Sequence, residues 1–392
     1  MTISHPSNVN NILASGVDSF VISMNIDWKD DSLFTVLDEL KEKAKEYSLD
    51  YQGSIKHFNP DEVWPFTIKP NGTKGFSWIL NGCDFTYKIA NSAEPSSRPN
   101  VMIEIRSEAL WRLGPEEVTK IALSIIEAND GHIIEAKPSR VDLCVDFLMN
   151  EKLWSQRLMN HAVTRATDFS PYYRHNKLTG IRIGKGIISA RLYDKPLEIQ
   201  QQSKKYWMFD IWGITEIPEG KKIIRIEFQL RRQILKDIGI KINDDLFQKI
   251  NGAWAYCTKK WLKFQDHPEL HHTQQLTLKW YEEIQNGFNG VQGAKPLVRK
   301  KAVSMDKKRL MQQANGLIIA LHAIDQEENK ADLGKPVKIE DCINSYNTEL
   351  KKDCPTPDQI QEKIIRKRAK YHREEPMIEE GQMIYRLRRY EK

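Results

Sequence analysis

Cysteine is scarce in this chain, and what there is excludes two classes of protein. The five cysteines (Cys83, Cys144, Cys257, Cys342 and Cys354) are odd in number and scattered, with no C-x-x-C pair. That argues against a disulfide scaffold and a zinc site and fits a reducing compartment. Long apolar runs are missing too: the best, GLIIALHAI (316–324), is far too short to cross a bilayer. The opening MTISHPSNVNN has no basic start followed by an apolar stretch. No secretory signal is therefore expected, and the expected compartment is the cytoplasm, with no membrane partner. A large excess of one charge is absent as well: 59 basic against 53 acidic residues leave a net +6.

What is present is a chain of 392 residues, 40% hydrophobic and 29% charged. These are the proportions of a globular protein of two or three domains. The basic residues cluster in VRKKAVSMDKKR (298–309), KIIRKRAKYHR (363–373) and RLRRYEK (386–392). Lys363, Arg366, Lys367 and Arg368 are the candidates there for contact with nucleic-acid phosphates. Solvated helix faces would account for such runs equally well.

The first 240 residues read as mixed α and β. FVISMNID suits a strand, DSLFTVLDELKEKAKEY a helix, and KGFSWILNGCDFTYKIA two strands around an NG turn. VMIEIRS follows as a strand and GPEEVTKIALSIIEAN as a helix with proline at its start. Then the order begins again: SRVDLCVDF as a strand, NEKLWSQRLMNHAVTRA as a helix, GIRIGKG and IISARLYDK as a hairpin-like pair, KKIIRIEFQLRR as a strand. ISMNIDW overlays VDLCVDF, and MIEIRSEALWRLG resembles RIEFQLRRQILKDIG. The expected fold class is α+β. Two related β-α-β-β-β-α halves form a curved, mainly antiparallel sheet, followed by a helical C-terminal domain. The expected divisions are 1–130 (first half), 131–240 (second half, with the active site), 241–290 (helical extension) and 291–392 (helical, basic), with GFNGVQGAKP as a linker.

Strand side chains two apart share a face. Arg140, Asp142, Cys144 and Asp146 form one such set, Arg225, Glu227 and Gln229 another, and Ser189, Arg191, Tyr193 and Lys195 a third. If the three strands are neighbours, three carboxylates, a tyrosine and several cations meet on one surface. Carboxylates gather a hard cation such as Mg²⁺ or Mn²⁺ through oxygen, and the cation polarises a phosphodiester. A tyrosine oxygen attacks the phosphorus as covalent nucleophile. Its pKa near 10 calls for positive charge nearby, which Arg191 and Lys195 supply. The plainer reading is a packed tyrosine and aspartates paired with Arg140 and Arg225.

RVDLCVDF, GIRIGKGIISARLYDKPLEI and RIEFQLRR together resemble the rolling-circle plasmid replication initiators of the Rep_trans, or replication initiation factor, family, and related relaxases of conjugative elements. The resemblance covers roughly residues 18–240, with its core at 139–232. It implies an enzyme that binds a double-stranded origin, nicks one strand through tyrosine and stays on the 5′ phosphate, leaving a 3′-OH for polymerase. On that resemblance Tyr193 is the nucleophile, Lys195 and Arg191 its phosphate-side helpers, and Asp142, Asp146 and Glu227 the Mg²⁺ or Mn²⁺ ligands. Glu198 is a further candidate ligand, and Arg140 and Arg225 are candidate DNA contacts. Double- and single-stranded origin DNA, a host helicase and polymerase, and a second copy of the chain are the implied partners. The only histidine pair, His271 and His272, is adjacent rather than His-hydrophobic-His, so a histidine-metal relaxase is not supported. The alternatives are a conjugative relaxase acting on a transfer origin, and a DNA-binding protein without chemistry whose tyrosine stacks on a base.

Overall fold

The computed structural model describes residues 11–92, 98–267, 274–299, 307–329, 337–361, 363–364, 377–379 and 382–384. The chain forms two compact units, Met1–Lys300 and Lys301–Lys392. The first opens with β1 (Ile12–Trp28), α1 (Ser32–Tyr47), β2 (Tyr51–Lys56), β3 (Val63–Ile68), β4 (Trp78–Asn81), β5 (Phe85–Ile89) and β6 (Val101–Ile105). Next come α2 (Ser107–Leu113), α3 (Pro115–Ala128), β7 (Gly131–Asn150), β8 (Ala162–Thr164), β9 (Phe169–Arg174), β10 (Lys177–Ile183) and β11 (Ile188–Asp194). It continues through α4 (Lys195–Glu198), α5 (Met208–Trp212), β12 (Lys221–Arg231), α6 (Arg232–Asp237) and α7 (Asn243–Tyr256). It ends with β13 (Leu262–Asp266), β14 (Leu276–Thr277) and α8 (Lys279–Asn286).

Eleven strands make one sheet in the order β2-β3-β4-β5-β6-β1-β7-β12-β11-β10-β9. Every neighbouring pair is antiparallel. The fold is thus α+β with a large antiparallel sheet. One face of its central strands is hydrocarbon: Phe20, Ile22, Val141, Leu143, Val145, Ile226 and Phe228 are buried. Helix α7 packs on that face, where Phe247 meets Phe20 edge-on at 6.3 Å and Trp254 meets Phe228 at 5.4 Å. Trp280 of α8 stacks on Phe147. The tryptophans at 254, 261 and 280 are accordingly packing residues. All five cysteines are free.

Three local readings differ from the sequence-based expectation. NEKLWSQRLMNHAVTRA is not an α-helix: Glu151–Leu153 and Gln156–His161 are 3-10 turns, and Ala162–Thr164 is β8. Tertiary partners outweigh its helical spacing. The Trp154 indole N–H donates to Leu178 O at 3.0 Å, and β-branched Val163 and Thr164 pair with β13. The region after 241 is not all helical, since β13 pairs with both β8 and β14. The expected linker is docked: Phe288 stacks on Trp254 and Lys259 donates to Ala294 O at 3.3 Å, and just past it Leu297 N donates to Gly252 O and Arg299 grips Asp237 at 2.8 Å.

The second unit is mainly helical, with α9 (Lys307–Glu328) and α10 (Ile339–Asp353) in contact, as in the His322–Ser345 hydrogen bond. Helical turns begin again at Pro357, where Gln359 N donates to the Thr356 hydroxyl. Two short strands, β15 (Met377–Glu379) and β16 (Gln382–Ile384), pair antiparallel. Among the described residues, no helix is long and apolar enough to cross a membrane.

Candidate functional site

The face of β7, β12 and β11 opposite the hydrocarbon core is polar, because each strand alternates. The three strands are neighbours, and their register lines up the side chains in rows. Asp142 lies across from Gln229 and then Ser189; Cys144 from Glu227 and then Arg191; Asp146 from Arg225 and then Tyr193. The residues that the sequence singles out on these strands therefore share one surface.

They divide into two ion-paired groups. In the first, Arg140 Nε donates to Asp142 Oδ1 at 2.8 Å, and its Nη2 reaches Oδ2. Arg191 Nη2 bridges Asp142 Oδ2, at 3.0 Å, and Glu227 Oε1. The Tyr193 hydroxyl donates to Glu227 Oε2 at 2.8 Å. Asp142 and Glu227 are buried beneath arginines whose side chains remain 37% (Arg140) and 40% (Arg191) exposed. Two guanidiniums thus stand between solvent and two carboxylates.

In the second group, Arg225 is fully buried. Its Nε and Nη2 donate to the two oxygens of Asp146 at 2.6 and 2.7 Å, and its Nη1 donates to Asp18 at 2.8 Å. The Trp212 indole N–H of α5 donates to Asp146 Oδ2 at 2.9 Å. From α2, Ser107 and Trp111 donate to Asp18 at 2.8 and 3.3 Å. Gly16 on β1 is what lets the Trp111 ring lie down here: a Cβ at that position would sit 3.3 Å from the ring.

Asp18 was not among the residues the sequence pointed to. Alternation counted back from buried Phe20 assigns it to the hydrocarbon face. A β-bulge overrides that count: Val17 pairs with Leu143 and Ser19 with Asp142, leaving Asp18 as an extra residue turned to the polar face. Ser23 and Asp27, the residues of the first half that the sequence overlay aligns with Asp142 and Asp146, lie toward the other end of β1, paired with Lys137 and His132.

Lys195 is off the strand. β11 ends at Asp194, whose side chain caps α4 by accepting from Leu197 N at 3.1 Å. Lys195 is buried, bonded to Glu198 at 2.6 Å, with its ammonium 5.6 Å from the centre of the Tyr193 ring. It faces the ring as a cation–π partner. Glu198, the further candidate ligand, is held by Lys195 and Ser203.

The electrostatics follow. Burial pushes the Tyr193 phenol well above 10, and the Glu227 charge pushes the same way. Burial also raises the Glu227 carboxyl to about 7, against the pull of Arg191. Burial opposes the charge on Asp18, yet Arg225, Lys205 and Lys195 together hold its carboxyl well below the usual carboxylate range. Burial pushes the Cys144 thiol far up, so it is a packing residue rather than a nucleophile.

The expected metal ligands and one expected DNA contact are already engaged by neighbouring side chains. Asp142, Asp146 and Glu227 are fully taken up by hydrogen-bond donors as placed. All six carboxylate oxygens already accept from arginine, tyrosine or tryptophan donors, and Asp146 belongs to the other group. Arg191 bridges Asp142 and Glu227 where a cation was expected. Arg225, expected to touch DNA, has no exposed surface and is committed to Asp146 and Asp18. Arg140, the other expected DNA contact, is partly exposed and paired with Asp142. Lys363 is exposed and pairs with Asp353 at 3.1 Å. Arg366, Lys367, Arg368, His271 and His272 lie outside the described residues. No family model matches the chain, and no curated protein matches it in sequence.

Proposed function

We propose that the chain is a DNA strand transferase in which Tyr193 Oη attacks a backbone phosphorus. The observation that carries this reading is the hydrogen bond from the Tyr193 hydroxyl to Glu227, a carboxylate whose pKa near 7 suits a general base. As the Oη–P bond forms, the phenolic proton passes to Glu227 Oε2. The P–O3′ bond breaks, the departing 3′ oxygen takes a proton from solvent water, and Glu227 returns the tyrosine's proton to solvent, so a 3′-OH is released. Arg191 and Arg140 are partly exposed next to this pair and suit the non-bridging phosphate oxygens. The product is a 5′-phosphotyrosine, comparable in energy to the bond it replaces, so a 3′-OH can reverse the step without ATP. Mg²⁺ or Mn²⁺ as cofactor stays part of the proposal, and every step above is carried by the chain's own side chains and solvent water.

Together with the resemblance at residues 139–232, this makes a rolling-circle replication initiator of a plasmid or phage the best reading. A conjugative relaxase would run the same chemistry on a transfer origin. Two related halves are part of the proposal. Outward from the β1–β7 pair the sheet runs β6, β5, β4, β3 on one side and β12, β11, β10, β9 on the other, and β6 and β12 each lead into a helix. The basic second unit is assigned to duplex origin DNA, with recruitment of a host helicase and polymerase in the cytoplasm. Exposed Leu317, Ile319 and Ile343 on α9 and α10 favour a second copy of the chain as a partner.

The test is incubation with supercoiled plasmid carrying the chain's own gene neighbourhood, with Mg²⁺, with Mn²⁺ and with chelator. The expected product is a detergent-resistant protein–DNA adduct on the Tyr193 peptide, lost in Tyr193→Phe. An adduct that survives that substitution sinks the proposal. A second reading, binding without chemistry, is favoured by the raised pKa of Tyr193. Under it the wild type makes no nick, and Tyr193→Phe keeps its DNA affinity.

A further inference from the structure

The polar face does not stop at Tyr193. It continues over β10 to β9, the edge strand of the sheet. In register, Tyr193 lies across from Gly180 and Gly180 from Tyr172; in the next row Arg191 lies across from Arg182 and Arg182 from Ser170. Tyr172 is 47% exposed. Gly180 keeps the strip between the two tyrosines free of a side chain: a Cβ there would sit 3.3 Å from Tyr193 Cβ and 3.8 Å from the Tyr172 ring.

The arginine pair is the second observation. Like charges directly opposed on neighbouring strands are unfavourable. Arg191 has two carboxylates to offset this, but Arg182 forms no ion pair among the described residues. The buried Nε of each has no acceptor. An unpaired buried donor is costly, and a guanidinium fork matches phosphate oxygens. A phosphate seated on these two arginines satisfies both conditions. Neighbouring strands are about 4.8 Å apart, so β9 is roughly 10 Å from β11. Tyr172 is then within reach of the nucleotide next to a phosphate held at Arg191.

We infer that single-stranded nucleic acid crosses β11, β10 and β9 from Tyr193, with one phosphate on Arg182 and Arg191 and the adjoining unpaired base stacked on Tyr172. The inference rests on the reading of Tyr193 as the reacting group for the direction of the track, not for its existence. An exposed aromatic beside cations is the arrangement that holds unpaired bases without reading their sequence.

The experiment is fluorescence anisotropy with a short labelled oligothymidylate and with a duplex of similar length, in the full chain carrying Tyr193→Phe so that no covalent step contributes. Tyr172→Ala should weaken single-strand binding roughly tenfold or more, and Tyr172→Phe should stay within about twofold of the parent. Arg182→Gln should lower affinity and reduce the salt slope by about 0.7. Unchanged unfolding midpoints establish that the variants fold; Tyr172→Phe serves if Tyr172→Ala does not, with a loss of more than about twofold counting against stacking. The inference is overturned if the parent does not bind the oligonucleotide, if Tyr172→Ala binds as the parent does, or if the duplex weakens as much as the single strand. A normal Tyr193 adduct in a Tyr172→Ala protein of undiminished affinity would defeat the track and leave the nicking proposal standing. The reverse pattern, no adduct but a stacking-dependent affinity, would leave the track as a binding surface.

Discussion

Glu227 is the residue on which the proposed chemistry turns. It accepts from Tyr193, is held by Arg191, and has its carboxyl raised to about 7 by burial. A base must be deprotonated to act, so adduct formation should climb about tenfold per pH unit below roughly pH 7 and level off above it. Glu227→Gln should flatten that rise; a pH–rate profile in both proteins checks it. The same shift has a consequence for folding. Because the folded pKa lies above the ordinary 4.5, the stability linked to Glu227 is full below that value and is lost as pH rises through about 7. Asp18 works in the opposite sense. Its lowered pKa adds stability above the ordinary 3.8, lost as pH falls. Asp18→Asn should therefore weaken the acid dependence of the unfolding midpoint below about pH 4. Arg225 is the costliest of these residues to remove. Arg225→Ala strands Asp146 and Asp18 without their buried partner and should destabilise by about 3–5 kcal/mol, read by urea unfolding.

At the scale of elements, two local irregularities assemble the site. The bulge in β1 turns Asp18 out of the hydrocarbon face, and the change from β11 to α4 brings Lys195 over the Tyr193 ring. Asp194 makes that change sharp. It caps α4 and also pairs with Lys222 at 2.8 Å. Asp194→Ala should cost about 1 kcal/mol through the lost cap, and Asp194→Asn, which can still cap, much less. Comparison of their urea midpoints decides this. Neither irregularity is visible in a period-two reading, which carries alternation straight through a bulge and extends a strand until a breaker appears. Pro196 was that breaker, and Asp194 before it has the composition of a cap. The segment 150–166 misleads for a different reason. Its spacing is helical, but Trp154 and Val163 find partners on β10 and β13, far along the chain.

The molecule as a whole separates after Lys300. The strap from Val291 to Arg299 belongs to the first unit through Gly252 and Asp237. A chain ending at Lys300 should fold cooperatively and retain single-strand nicking, while losing duplex affinity and part of its salt dependence, as measured by unfolding and by anisotropy. One cut at about residue 290 should be less stable, because Arg299 and Leu297 leave with it. Much was legible beforehand from local pattern. Period-two alternation marked β7, β11 and β12 and assigned their polar residues to one face each. The proline and acids that open GPEEVTKIALSIIEAN mark the start of α3 at Pro115. These features depend on neighbours a few positions away, and such neighbours are written directly into the chain. Which acid meets which cation is not written there. Asp18 and Arg225 are 207 positions apart, and Asp142 and Arg191 are 49 apart. Coulomb attraction and hydrogen bonding act over a few ångströms of space, whatever the separation along the chain. Only the pairing of strands could put a guanidinium between Asp142 and Glu227, bury Arg225, and carry the polar face outward to Tyr172.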